Sequence, residues 1–179
     1  MSTAVELRHT FELGADVLDA ARSMLVDVFD GDFDADDWDH ALGGMHVLLR
    51  EDGELVGHGA VVQRRVLHGG RALRCGYVEA IGVRLDRRRR GHGRTIMEAI
   101  NRIVGGGFDL GALGASDDGA PLYRDFGWEP WSGPTAAFTP DGIRDTTPDT
   151  SGSLMVLRCA AKLDAAEALT CDWRDGELW

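Results

Sequence analysis

The chain has little that would tie it to a metal, an oxidising compartment or a membrane. Only 3 of its 179 residues are cysteine. Cys75, Cys159 and Cys171 are odd in number and far apart, with no CxxC pair and no Cys/His cluster at ligand spacing. They predict reduced thiols and no metal site. No apolar run approaches the roughly 18 residues of a membrane span. The opening MSTAVELRHT carries charge too early for a secretory leader, so a cytoplasmic location is expected. Proline is scarce, at 5 against 24 glycines, which describes a chain of many turns and not a disordered one. Basic residues are in deficit as well, with 19 Lys and Arg against 30 Asp and Glu and a formal charge of -11. That balance argues against a nucleic-acid partner, because phosphate affinity needs an extended basic face. The length suits one domain, residues 1–179, with 44% hydrophobic residues to build its core.

The charge that is present is unevenly placed. VRLDRRRRGHGRT, residues 83–95, holds six arginines against one aspartate, a local balance of +5 in a chain of -11. DGDFDADDWD, residues 30–39, holds six aspartates, and the tail CDWRDGELW adds Asp172, Asp175 and Glu177. Taken alone, an acidic run is a solvated surface more often than a site.

Hydrophobic spacing divides the chain into short elements. Val17, Leu18, Ala21, Met24, Leu25 and Val28 recur at three and four residues, which predicts a helix over Ala15–Phe29. A shorter helix follows in DADDWDHAL, opened by an acidic residue that can cap free amides. MHVLLRE, ELVGHGAVVQRRVLH and ALRCGYVEAIGVRL then read as three consecutive strands joined by Glu51-Asp52-Gly53 and His68-Gly69-Gly70. A helix is expected from near Gly93 to the glycines at 105–107, then a buried strand in FDLGALGA and a short helix in DGAPLYRDFGW. TAAFTP and GSLMVLRCA close the fold as strands. The order β-α-α-β-β-β-α-β-α-β-β predicts an α/β fold with a mixed, mostly antiparallel central sheet flanked by helices. Trp38, Trp128 and Trp131 read as packing residues.

A strand ending in AIGVRL, the loop RRRRGHG and a helix beginning inside it form a cradle for an anion. Backbone amides at the helix start point outward, Gly91 and Gly93 let the chain approach a pyrophosphate, and arginines can pair with a further phosphate. The pattern is Arg88-x-x-Gly91-x-Gly93, and it lacks the Lys-Ser/Thr of a nucleotide P-loop.

This loop and the order of elements resemble the GNAT superfamily of acetyl-coenzyme A dependent N-acetyltransferases, in which the loop grips the coenzyme's pyrophosphate. GDFDADDWDHALGGMH, ALRCGYVEAIGV, LYRDFGWEPWSGPT and CDWRDGELW further resemble, in order, segments of the aminoglycoside 2'-N-acetyltransferases. The loop is richer in arginine and glycine than that subfamily's usual pattern. The resemblance implies a GNAT fold, acetyl-CoA as cosubstrate and direct transfer to the 2'-amine of an aminoglycoside, with antibiotic resistance as a consequence. It also implies a homodimer.

Residue by residue, the resemblance implies a coenzyme site of Ile81, Gly82, Val83, Arg88, Arg89, Arg90, Gly91, His92, Gly93 and Arg94. Backbone groups of Ile81 and Val83 would meet the pantetheine arm, and the Ile81 N–H the thioester oxygen. Glu79 becomes the candidate general base, through water, and Tyr123 the acid that protonates the leaving thiolate. From position alone, Glu79 reads as a strand glutamate facing solvent or paired with an arginine, and Tyr123 as a core aromatic. On the substrate side the implied residues are Asp32, Asp37, Glu79, Ala80, Gly114, Asp149, Glu177 and Trp179 with its carboxylate. Where the family often has serine this chain has Gly114, so only backbone can contribute there. The acidic segments would then attract a polycation while the basic loop receives the coenzyme's phosphates. An acetyltransferase for another polyamine, a cell-wall amino sugar or a protein amine fits the same charges, and a non-catalytic acyl-coenzyme A binding module is a further reading.

Overall fold

The computed structural model describes residues 2–179, which form two compact units. One comprises the residues up to Val62 together with Val78–Arg102, and the other Gln63–Tyr77 with Ile103–Trp179. The elements are β1 (Thr3–His9), α1 (Ala15–Val28), α2 (Ala35–His40), β2 (Met45–Glu51), β3 (Glu54–His68), β4 (Arg71–Val83), α3 (His92–Gly107), β5 (Leu110–Gly114), α4 (Ala120–Asp125), β6 (Glu129–Pro130), β7 (Thr135–Thr139), β8 (Gly142–Asp145), α5 (Thr147–Thr150), β9 (Leu154–Arg158) and β10 (Leu169–Cys171). The expected order is present. To it the structure adds β6, β8, α5 and β10, which are too short, at two to four residues, to show a period.

In the first unit β1, β2 and the start of β3 run antiparallel, from Thr3 opposite Glu51 and from Met45 opposite Val61. The β2–β3 turn holds Asp52 at φ 51° and Gly53 at φ 89°. Two successive left-handed residues are what a tight hairpin of matching twist requires, and an Asp-Gly pair adopts them readily. Helix α1 buries Ala21, Met24 and Leu25, the face its spacing predicts. It packs so closely on β4 that a methyl added at Gly82 would lie 2.9 Å from Leu25 Cδ2. Helix α2 opens with a reciprocal cap in which Asp34 accepts from the Asp36 and Asp37 amides and Asp37 accepts from the Asp34 amide.

In the second unit the strand order is β6-β9-β5-β4-β3-β10-β7-β8, in which β4–β5 and β10–β7 are parallel and the remaining pairs whose register is given are antiparallel. Leu110, Ala112, Met155, Val156 and Trp128 are fully or almost fully buried in it. Helix α4 is the short helix expected, with Pro121 in its first turn and Gly127 at φ 86° beyond its end. Helix α3 departs from the expectation. It starts at His92 and continues through all three glycines to Gly107, and the Phe108 amide extends the ladder to Val104 O at 3.1 Å.

Close backbone approach also fixes the entry to β2. A Cβ on Gly44 would stand 2.3 Å from Val61 O, a backbone atom that cannot swing aside. Gly44→Ala is expected to lower unfolding free energy by about 1–3 kcal/mol, the usual range for overpacking, as read by urea denaturation. An unchanged midpoint would contradict this packing.

Candidate active site

In the first unit β4 delivers the candidate base and then turns into the basic loop. Glu79 and Ala80 are half-buried, and Ala80 sits at φ 53°, the left-handed region, within an otherwise extended strand. Ile81, Gly82 and Val83 follow, and past a short 3-10 turn at Leu85–Arg87 the loop reverses at Arg89 (φ 60°) and Gly91 (φ 87°). Sixteen-residue α3 begins immediately after, so its first amides face the loop.

The arginines are not equivalent. Arg84 pairs with Asp86 and Glu54 at 3.0 and 3.1 Å, and Arg87 pairs with Asp86 and with Glu51 at 3.0 and 2.9 Å. Arg90 lies 3.7 Å from Glu51, and the buried His92 ring 3.5 Å from it. Glu51, only 9% exposed, therefore anchors the loop from beneath. Sequence reasoning missed it because Glu51-Asp52-Gly53 reads as hairpin chemistry. Arg88 donates to Val83 O and Val28 O, which fastens the loop to the ends of β4 and α1. Arg88, Arg89 and Arg94 are exposed along this stretch.

Two buried histidines support β4 from behind. His58 Nδ1 is 2.8 Å from Ala80 O, His46 Nδ1 is 2.9 Å from His58 Nε2, and Thr10 Oγ1 is 2.8 Å from His46 Nε2. Trp38 packs against both rings. A carbonyl can only accept, so His58 donates from Nδ1 and its Nε2 accepts from His46 Nδ1–H. His46 Nε2 then accepts from the Thr10 hydroxyl, which in turn accepts from the Gly43 amide at 2.9 Å. Both rings are neutral in this arrangement. Burial lowers each from the usual 6.5 to about 4, helped by His9 near His46 and by His46 near His58, while the bond to Ala80 opposes the shift at His58. Asp32 is exposed after the Asp30-Gly31 turn, and Asp37 has one oxygen committed to its helix cap.

The second unit contains a cavity of about 540 Å³ lined by Gly114, Arg144, Asp149, Glu177 and Trp179, among others. Asp149 pairs with Arg144 at 2.7 Å, both side chains more than half exposed. The tail that brings Glu177 and Trp179 here is held from inside. Arg64, 4% exposed, donates to Asp172 Oδ1 at 2.8 Å, Asp172 O at 2.8 Å and Leu178 O at 2.7 Å. Arg64 and Arg174 flank the Tyr77 ring at 5.0 and 5.1 Å, and Trp179 Nε1 donates to Thr146 Oγ1 at 2.9 Å. Neither Arg64 nor Thr146 was legible as a site residue, since each acts across a long sequence separation. Tyr123 lies on α4 with its ring folded over Gly119, where an added methyl would come within 3.1 Å of Cε2. Burial pushes its phenol up, so it stays protonated at neutral pH.

Of the residues implied by the resemblance, the structure thus gathers Gly114, Asp149, Glu177 and Trp179 at one cavity in the second unit, which also carries Tyr123. Glu79, Ala80, the coenzyme set, Asp32 and Asp37 belong to the first unit. Among the described residues, no group of three or more His, Cys, Asp or Glu is arranged to hold a metal, and no helix is long and apolar enough to cross a membrane.

The strand, basic loop and helix of the first unit are those of an acyl-coenzyme A dependent transferase, and residues 13–131 match the acetyltransferase (GNAT) domain, so the chain belongs to the GNAT acetyltransferase family. A more specific likeness is 44% identity, over 97% of this chain and 90% of the other, to the aminoglycoside 2'-N-acetyltransferase of Mycolicibacterium fortuitum. Among solved structures, the GNAT family N-acetyltransferase YhbS of Escherichia coli, in complex with CoA, has the same fold. Its TM-score is 0.65 at 17% identity, covering 97% of this chain and 90% of that one. Eis1 of Mycobacterium abscessus matches 74% of this chain with a TM-score of 0.59 at 22% identity, and the chain spans only 33% of its length. Two other solved structures of this fold are likewise about three times the length matched.

Two outcomes follow from the geometry. Removing Arg64 as Arg64→Met should cost at least about 2 kcal/mol, the scale of one hydrogen bond to a charged group, and speed tryptic cleavage after Arg174; an unchanged cleavage rate would mean that Arg64 does not hold the tail. For the histidine pair, a depressed folded pKa means that the unfolded chain binds more protons below pH 6.5. Stability is therefore full above that value and falls as pH drops toward about 4, with uptake on unfolding approaching one proton per ring. Urea midpoints that stay level from about pH 7.5 to about pH 5 would contradict the neutral pair.

Proposed function

We propose that the protein is an aminoglycoside 2'-N-acetyltransferase, passing acetyl from acetyl-CoA directly to the 2'-amine of an aminoglycoside antibiotic and so conferring resistance to it. The observation that carries the specificity is the second unit's cavity, with Asp149, Glu177 and Trp179 in its wall. An aminoglycoside is a hydrophilic polycation, and converging carboxylates and hydrogen-bond acceptors suit it better than an apolar acceptor. Asp32 and Asp37 add negative charge on the first unit.

The donor chemistry of the loop supports the coenzyme cradle. Gly91 is left-handed, nothing would touch a methyl added there, and a full-length helix starts at the next residue. Such amides, with Arg88, Arg89, Arg90 and Arg94 alongside and Gly93 permitting approach, fit a pyrophosphate. The bound coenzyme supplies an activated acetyl thioester. Ile81 and Val83 offer backbone groups to its arm as a neighbouring strand would. Glu79, half-buried on β4, removes a proton from the incoming ammonium through a water, and the protonated Tyr123 phenol donates to the departing thiolate. Residues 1–179 are read as one catalytic domain, which the 97% of the chain matched in the Mycolicibacterium fortuitum relative supports. A homodimer is part of the reading by family likeness, and a cytoplasmic location by three unbridged thiols.

Free-thiol release is measured with untagged protein, because Glu177 and Trp179 line the cavity, using aminoglycoside pairs that carry either an amine or a hydroxyl at the 2' position. Turnover is expected only with the amine. Glu79→Gln should lower kcat by about 100-fold or more, within the usual range for a general base, with coenzyme affinity retained. Equal turnover with both members of a pair would move the target amine elsewhere, and turnover with neither would discard the substrate class.

A further inference from the structure

An alanine in the left-handed region is strained, because its Cβ crowds a carbonyl oxygen, and Ala80 adopts that conformation inside β4. Something must hold it there. Its methyl packs beside the cluster of Met24, Leu25 and Phe33, but packing of so small a group does not select a backbone angle. Its carbonyl is the more telling atom. It accepts from a buried imidazole 22 positions earlier in the chain, on the neighbouring stretch of β3.

We propose that His58 is a positioning residue for acetyl transfer, holding the Ala80 carbonyl so that β4 keeps its left-handed step between Glu79 and Ile81. The inference rests on the reading of Glu79 as the base. That step sets the direction from which the Glu79 carboxylate leaves the strand and the direction in which the Ile81 N–H points, the two groups assigned to the amine and to the thioester oxygen. His58 touches neither reactant.

The chain behind His58 explains why an imidazole occupies this position. A neutral ring that gives its only N–H to Ala80 O keeps an acceptor nitrogen, which is buried and costly unless a donor meets it. His46 supplies it at 2.9 Å, and His46 is in turn fixed by Thr10 at 2.8 Å and Thr10 by the Gly43 amide at 2.9 Å. Between Ala80 and the two rings each link has one donor and one acceptor, while the Thr10 hydroxyl has both His46 Nε2 at 2.8 Å and Gly44 O at 3.3 Å in reach and gives its proton to the nearer nitrogen. Both rings are 0% exposed, and Trp38 lies against them with centroids 6.4 and 6.1 Å away, which denies water to the links. Asn is the instructive replacement, because its Nδ2 stands near the position of the histidine Nδ1 and keeps the donor. Leu removes it at similar bulk.

The test compares wild type, Glu79→Gln, His58→Leu, His58→Asn, Ala80→Gly and the double variant His58→Leu/Ala80→Gly by thiol release, together with the Ala80 ¹³Cβ shift in alanine-labelled protein. His58→Leu should lower kcat about 10- to 100-fold, the scale of a misplaced catalytic group, with the coenzyme KM within about twofold of wild type. His58→Asn should recover most of the loss. Ala80→Gly should recover part of it in the His58→Leu background, because glycine takes a left-handed backbone without penalty. The Ala80 shift should move toward the extended-strand value in His58→Leu and stay in place in His58→Asn. A stationary shift in folded His58→Leu, or an unchanged kcat, overturns the proposal. So does a loss that neither Asn nor Ala80→Gly relieves, since it would mark His58 as a core residue only. Full activity in Glu79→Gln would instead overturn the base assignment, while the shift still reports on His58 and Ala80.

Discussion

One left-handed alanine governs the geometry of the first unit. At Ala80 strand β4 departs from the regular alternation of a pleated strand, and the proposed mechanism assigns the residues on either side to different tasks: Glu79 to proton removal, Ile81 to Val83 to the arm of the coenzyme. An uninterrupted strand would engage these backbone groups in sheet pairing and change which side chains face outward. The structure meets the conformational cost with a hydrogen bond from a buried histidine, itself backed by a second histidine and a threonine. Neutral imidazoles suit this because each is donor and acceptor at once, so a line of them can be fully satisfied without burying a charge.

Charge is treated differently in the two units. In the first, arginines crowd a short loop, and their mutual repulsion is offset by Glu51, Glu54 and Asp86, of which only Glu51 is buried. The loop thus acquires a definite shape before any anion arrives, which lowers the ordering cost of binding. In the second unit the order is inverted: a buried cation, Arg64, gathers backbone carbonyls and Asp172, and in doing so brings the acidic tail to the cavity. Each unit places an opposite charge under the group it presents.

Much of this arrangement was legible in the sequence. The helix Ala15–Val28, the Asp34 cap, the Asp52-Gly53 and Gly69-Gly70 turns and the strand, loop and helix around Gly91 all depend on contacts within a few residues. The short strands β6, β8 and β10 were not legible, because two to four residues carry no period. The continuation of α3 through Gly105 to Gly107 was not legible either. Three glycines favour a stop by propensity, and here the helical ladder carries on through them.

What the sequence determined by itself was the opposite charges of loop and tail and a loop pattern suited to an anion, both local in the chain, where composition and spacing suffice. The aminoglycoside acetyltransferase chemistry entered through the resemblance of its blocks to that family, not through composition or spacing. Which charges serve the site was decided only by tertiary structure. Glu51 reads as part of a turn and is an anchor, Arg64 reads as a strand residue and holds the tail, and His46 and His58 read as strand histidines and form a relay of hydrogen bonds to Ala80. Each of these roles joins residues at least 12 positions apart, and burial fixes the pairing by removing water as an alternative partner.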